Sequence, residues 1–248
     1  MAGPKRVVLV TGGGRGVGRG ITDAFLAAGA TVVICGREAP RGKSRARFIK
    51  ADVRDRAAVD ALFAEIARRH GRLDVLVNNA GGAPHALADK ASPRFHEAIV
   101  QLNLLAPLYL AQKANAVMQK QRGGGVIVFI ASVSALRPSP GTAAYGAAKA
   151  GVLSLTESLA LEWAPKTRVV AVTPGLVKTE QSALHYGDAA GIAAVARTVP
   201  LGRLAQPREV GEACVWMASP AASYVSGTHL VLHGGGERPA FLDAASAA

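Results

Sequence analysis

Apolar and polar positions along this chain fall into two recurring patterns. Short, β-branched apolar runs alternate with longer stretches in which apolar residues return every three or four positions. The short runs are Arg6–Thr11, Thr31–Cys35, Arg47–Ala51, Leu73–Val77, Val126–Ala131, Arg168–Val172 and His229–Leu232. Most are almost continuously apolar, as strands covered on both faces of a parallel sheet must be. Helical spacing follows the first run through Ala28 and returns over Arg56–Arg69, Phe95–Lys120, Ala143–Trp163 and Pro207–Ala218. Phe95–Lys120 reads as one long helix kinked at Pro107.

This alternation predicts an α/β fold of Rossmann type: a doubly wound, seven-stranded parallel sheet with helices on both faces. No repeat or linker breaks the pattern, so residues 1–248 read as a single domain. The polar segment 38–46 holds Pro40 and Gly42, which predicts a loop where the second crossover helix would stand. The alanine-rich segment 181–197 reads as a mobile lid. Residues 234–248 read as a tail that either frays or reaches a neighbouring subunit.

Composition narrows the function classes. Half of the 248 residues are hydrophobic, yet no apolar run approaches the ~20 residues of a membrane span. Met1–Arg6 leads straight into a strand without a signal-peptide pattern, so a cytoplasmic protein without a membrane partner is expected. The two cysteines, Cys35 and Cys214, lie in apolar stretches and read as buried, reduced thiols. The six histidines show no ligand spacing, and no metal is expected. The net charge of +12 is concentrated over 37–56, where Arg37, Arg41, Lys43, Arg45, Arg47, Lys50, Arg54 and Arg56 face only Glu38, Asp52 and Asp55. With Phe48 as its only aromatic residue and no nucleic-acid-binding motif, the patch suits an anionic cofactor or substrate better than nucleic acid.

Three stretches carry candidate chemistry. The first is the turn Thr11-Gly12-Gly13-Gly14-Arg15-Gly16-Val17-Gly18, set between a strand and a helix. That arrangement lets backbone N–H groups at a helix N-terminus approach a pyrophosphate. The second is the end of the next strand, Cys35-Gly36-Arg37, where NAD-binding units carry an acid for the ribose 2′-hydroxyl. Here the acid's place is vacant and Arg37 follows, with Arg15 in reach, so NADP(H) is expected over NAD(H). The third is Ser132 followed by Tyr145 and Lys149, the last two a helical turn apart. A phenol beside an ammonium acidifies, and Tyr145 is expected to act as a general acid with its pKa lowered by Lys149. A Tyr-x-x-x-Lys match is weak evidence by itself in a chain with four tyrosines.

The motifs in order, Thr11-Gly12-x-x-x-Gly16-x-Gly18, Asn78-Asn79-Ala80-Gly81, Asn103, Ser132 with Tyr145 and Lys149, and Pro174-Gly175, resemble the short-chain dehydrogenase/reductase family over essentially the whole chain. Within that family the chain looks most like the 3-oxoacyl-thioester (acyl-carrier-protein) reductases. The resemblance implies that Tyr145 is the acid/base, that Lys149 binds the nicotinamide ribose, that Ser132 orients the carbonyl and that Asn103 holds a water of the proton relay. It implies NADP(H) contacts from Gly12, Gly14, Arg15, Gly16, Val17, Gly18, Arg37, Asp52, Val53, Asn79, Ala80, Gly81, Tyr145, Lys149, Pro174, Gly175, Val177 and Thr179. It further implies a homotetramer or dimer acting on a small carbonyl or alcohol, free, carrier-bound or CoA-bound. Steroid, polyketide and sugar carbonyls stay open, as does a non-catalytic NADP(H)-binding regulator. Two departures stand out: the missing crossover helix, and His233 where many relatives carry aspartate.

Overall fold

The structure, a computed structural model, describes residues 5–241. Seven strands form one parallel sheet: β1 (Val7–Thr11), β2 (Thr31–Gly36), β3 (Arg47–Lys50), β4 (Val75–Asn78), β5 (Gly125–Ile130), β6 (Thr167–Pro174) and β7 (Thr228–Leu232). Their order is β3-β2-β1-β4-β5-β6-β7, and every neighbouring pair is parallel. The chain leaves β3 and crosses back to lay β4 beside β1. The two halves of the sheet therefore part at β1 and β4, and a crevice opens beyond their carboxyl ends. Thr11, Asn78 and Asn79 stand at that crevice.

The side chains of each strand alternate between two cores. Leu9, Val33, Leu76, Ile127 and Val169 face one side, with α2 (Arg56–His70), α4 (Ala106–Met118) and α5 (Ala143–Glu162) packed on them. Val8, Val10, Ile34, Val77, Val128 and Val170 face the other, against Ile21 and Phe25 of α1 (Gly16–Ala27) and Val210, Cys214 and Met217 of α8 (Pro207–Met217). Both thiols are buried, and burial pushes Cys35 up to about 12 and Cys214 upward as well. The structure carries no helix between β2 and β3. Instead Pro40 folds back onto the glycine turn, where a Cβ on Gly14 would lie 3.0 Å from its ring.

Two segments differ from the sequence pattern. The stretch expected as one helix over Phe95–Lys120 is α3 (Pro93–Val100), a π-turn (Gln101–Leu105) and α4. Ser92 caps α3 through Phe95 N–H, with Pro93 in its first turn. The irregularity sits before Pro107, at the turn that holds Asn103. A proline offers no N–H to an α-ladder, so the wider turn upstream absorbs the defect without a break. The segment expected as a lid folds into α6 (Ser182–Tyr186) and α7 (Ala189–Arg197). Alanine is the strongest helix former, and the Asp188 carboxylate accepts from Gly191 N–H at 2.9 Å to start α7. The tail's first residues turn back onto the chain: Arg238 N–H donates to Thr198 O, and Glu237 pairs with Arg137 at 2.5 Å. The expectation for the rest of the tail falls on residues 242–248, outside the described residues.

Candidate active site

Thr11 closes β1 and holds the crevice together. Its Oγ1 accepts from Asn79 N–H at 3.0 Å and Ala80 N–H at 2.9 Å, while Asn79 Nδ2 donates to Thr11 O at 2.9 Å. The ends of β1 and β4 are thereby fixed to each other. The glycine turn runs across this platform. Gly12 (φ +64°) and Gly16 (φ +51°) adopt left-handed backbone that disfavours side chains. Gly18 is helical, but a Cβ there would collide with Gly12 O. Thr22 secures the turn from α1 by donating to Gly13 O at 2.9 Å. No side chain caps α1 at Arg15, and its first turn holds no acid. The backbone N–H groups at this helix start and the positive end of the helix dipole suit an anion, so the residues fit a dinucleotide pyrophosphate. Thr11 heads the glycine motif, whereas Thr22 had no motif to mark it.

The expected 2′-phosphate side is open. Arg15, Arg37 and Glu38 are exposed at the mouth of the β2–β3 loop. Asp52 forms a double hydrogen bond with Arg54, at 3.0 and 2.6 Å. That bond holds its carboxyl below the usual range, with Arg37 adding a smaller pull. Val53 is buried beside it. On the far side Gly175 N–H donates to Leu232 O, and Val177 bridges to Ala205. This anchors Pro174–Thr179 across the crevice from the glycine turn.

The reacting centre lies past the end of β5. Ser132 is extended and its Oγ accepts from Ser134 N–H at 3.2 Å. Tyr145 and Lys149 project from the first turns of α5. Lys149 is 3% exposed, and its Nζ donates to Ile130 O at 2.8 Å and stands 5.6 Å from the Tyr145 ring centroid. Asn103 is fully buried in the π-turn. Its Nδ2 donates to Gly82 O and Ile99 O, and its Oδ1 accepts from Gly82 N–H at 2.8 Å. Gly81 joins the two groups: a Cβ on it would lie 2.6 Å from Asn103 Oδ1 and 3.3 Å from Lys149 Nζ. Ser132, Tyr145, Lys149 and Asn103 thus come from three separate segments to one place.

The electrostatics correct the sequence expectation for Tyr145. Burial pushes its phenol above the ordinary value, and a hydrogen bond with Ser132 opposes this only in part. Burial sets this direction, and the neighbouring Lys149 amine is turned to Ile130 O and is itself drawn down to about 8 by burial. Tyr145 is therefore protonated at neutral pH and suited to give a proton.

The rim of this site also holds polar groups that no motif marks. Arg137, five residues past Ser132, pairs with Glu237, and the Tyr186 phenol feels both charges. Burial and Glu237 raise Tyr186, while Arg137 lowers it.

Residues 12–237 match the family model described as enoyl-(acyl carrier protein) reductase. An uncharacterized short-chain type dehydrogenase/reductase of Sinorhizobium fredii is 38% identical over 94% of this chain, which spans 44% of that longer protein. The L-fucose dehydrogenase of Oryctolagus cuniculus is 37% identical over 94% of this chain and 85% of its own length. Among solved structures, the ligand-free aldohexose dehydrogenase of Thermoplasma acidophilum superposes with a TM-score of 0.89 at 32% identity, covering 93% of each chain.

Proposed function

Since this chain belongs to the short-chain dehydrogenase/reductase family of oxidoreductases, we propose that it is an NADP(H)-dependent ketone reductase and secondary-alcohol dehydrogenase. The observation that carries the reading is the convergence of Tyr145, Ser132 and Asn103 past the end of β5, with the buried Lys149 amine 5.6 Å from the Tyr145 ring. When bound, the nicotinamide supplies the hydride to a carbonyl carbon. Negative charge then grows on the carbonyl oxygen. Ser132 hydrogen-bonds that oxygen and Tyr145 gives it a proton, so both interactions strengthen towards the transition state. Lys149, charged at pH 7, lies beside Tyr145 and serves the nicotinamide ribose. Asn103 joins the buried polar path behind them. Gly12 to Gly18 and Thr179 hold the pyrophosphate, Asp52 and Val53 the adenine, and Arg15 and Arg37 the 2′-phosphate.

For the substrate, a 3-oxoacyl thioester or similar ketone is supported by a relative named 3-oxoacyl-(acyl-carrier-protein) reductase, 33% identical over 92% of this chain, and by the basic stretch 37–56, which suits an acidic carrier or a coenzyme A phosphate. A sugar is the second reading. The Arg137–Glu237 pair and Tyr186 give the rim hydrogen-bonding groups that a hydroxyl-rich body would use, and two of the similar proteins named above are sugar dehydrogenases by name. By family analogy the protein works as a homotetramer or dimer, and the charge pattern and the N-terminal sequence keep it, in this reading, a cytoplasmic protein without a nucleic-acid partner.

NADPH oxidation over a panel of 3-oxoacyl thioesters, simple ketones and aldonolactones, with NADP⁺ reduction by aldoses as the reverse arm, decides the substrate. Tyr145→Phe should lower turnover by ~10²–10⁴ on every active substrate while leaving cofactor affinity nearly unchanged. Undiminished turnover in that variant would remove the proton-donor role.

A further inference from the structure

The α1 N-terminus is not left bare. Gly16 N–H donates to Glu180 Oε1 at 3.0 Å, a contact between residues 164 positions apart. It brings the segment leading into α6 onto the glycine turn. Thr179 lies against the same residue, its Cγ2 3.6 Å from where a Cβ on Gly16 would stand. Glu180 is exposed, but the backbone on either side of it is held by hydrogen bonds. Thr179 N–H donates to the buried Ser182 Oγ at 2.9 Å, and Gln181 N–H donates to Thr179 Oγ1 at 3.2 Å. Lys178 N–H and Ala205 N–H tie the preceding residues to Ala205 and Leu176. From this turn the carboxylate reaches a helix start that has no side-chain cap of its own.

We infer that Glu180 is a latch on the cofactor site: its carboxylate takes a backbone donor of the helix start where the cofactor's pyrophosphate would sit, and the segment leading into α6 must give way for the cofactor to bind. This rests on the reading that the chain binds a nicotinamide dinucleotide. One N–H group serves one anion well. A pyrophosphate seated on Gly16 would also face the carboxylate as a like charge. Each anion therefore weakens the other, and the free chain holds the segment leading into α6 against the glycine turn until the nucleotide displaces it. The latch acts on NADPH and NADH alike, because both carry the pyrophosphate. In this it differs from Arg37, which serves only the 2′-phosphate.

The test is a titration of the full chain with NADPH and with NADH, read by nucleotide fluorescence, for the parent, Glu180→Gln and Glu180→Ala. Removing the charge should tighten both nucleotides by about three- to tenfold, with Glu180→Gln at the lower end because it keeps an acceptor for Gly16 N–H. Amide exchange in the free chain should rise at Gly16 and across 179–186 in Glu180→Ala. Unchanged or weaker nucleotide binding in both variants would show a structural cap only and overturn the latch. A parent chain that binds neither nucleotide would instead overturn the functional reading on which the latch rests.

Discussion

Lys149 shows how the site strains the chain that carries it. An amine drawn from 10.5 to about 8 by burial is charged at pH 7 in both folded and unfolded chains, and the folded chain bears the cost of burying that charge. Because the folded pKa is the lower one, the unfolded chain binds more protons between pH 8 and 10.5. Stability from this group therefore rises with pH across that window and is lowest below it. Lys149→Met should be more stable relative to the parent below pH 8, and that advantage should shrink by about 3 kcal/mol by pH 10.5. Denaturant unfolding of both chains at pH 7 and 10.5 measures it, and a pH-independent difference would show that burial does not depress the amine. Activity should fall in the same variant, so the residue exchanges stability for function. Tyr145 carries the complementary lesson. Its spacing from Lys149 was plain in the sequence, but the direction of its pKa was not. That direction depends on how deeply α5 sits behind β5 and on Lys149 turning to Ile130 O.

At the scale of elements, most of the sheet and helix pattern was legible because parallel strands and amphipathic helices write their burial into the sequence. The loop in place of the second crossover helix was legible for the same local reason, from Pro40 and Gly42. The π-turn around Asn103 was not, since it answers to Pro107 and to the Gly82 backbone that Asn103 must reach. Nor was the Glu180–Gly16 contact, which joins segments 164 residues apart. The junction of the glycine turn and α1 allows a sharp test of what a sequence motif means physically. In an ordinary helix interior, replacing glycine by alanine stabilises by roughly 0.5–1 kcal/mol. Gly18 is helical, yet its Cβ would enter the space of Gly12 O. Gly18→Ala should thus lose stability rather than gain it, by about 1–3 kcal/mol as an overpacked site does, and nucleotide affinity should fall with it. Thermal melting and a nucleotide titration check both; a stabilised variant with intact binding would place the glycine's role in propensity alone.

Across the whole molecule, a net charge of +12 acts on every anion the protein meets, so general attraction must be separated from recognition. Much of the basic stretch is engaged internally: Arg47 pairs with Glu65, Arg54 with Asp52, and Arg56 stacks on Tyr109 at 4.6 Å. Arg37 differs by position. It leaves the carboxyl end of β2, exposed at the crevice, where a nucleotide's adenosine ribose would lie if the pyrophosphate occupies the α1 N-terminus. A diffuse field would favour NADPH over NADH only weakly and would fade with salt over a Debye length of ~10 Å at 0.1 M. A guanidinium in contact with the 2′-phosphate acts at short range, and a hydrogen bond to a charged group is worth about 1.5–3 kcal/mol. Arg37→Ala should therefore weaken NADPH by roughly 10- to 100-fold while changing NADH by less than about threefold. Lys43→Ala removes the same charge from the same loop without the crevice position, and should change both nucleotides equally and slightly. If Arg37→Ala and Lys43→Ala act alike, or if the parent prefers NADH, the selectivity belongs to the field of the molecule and not to Arg37.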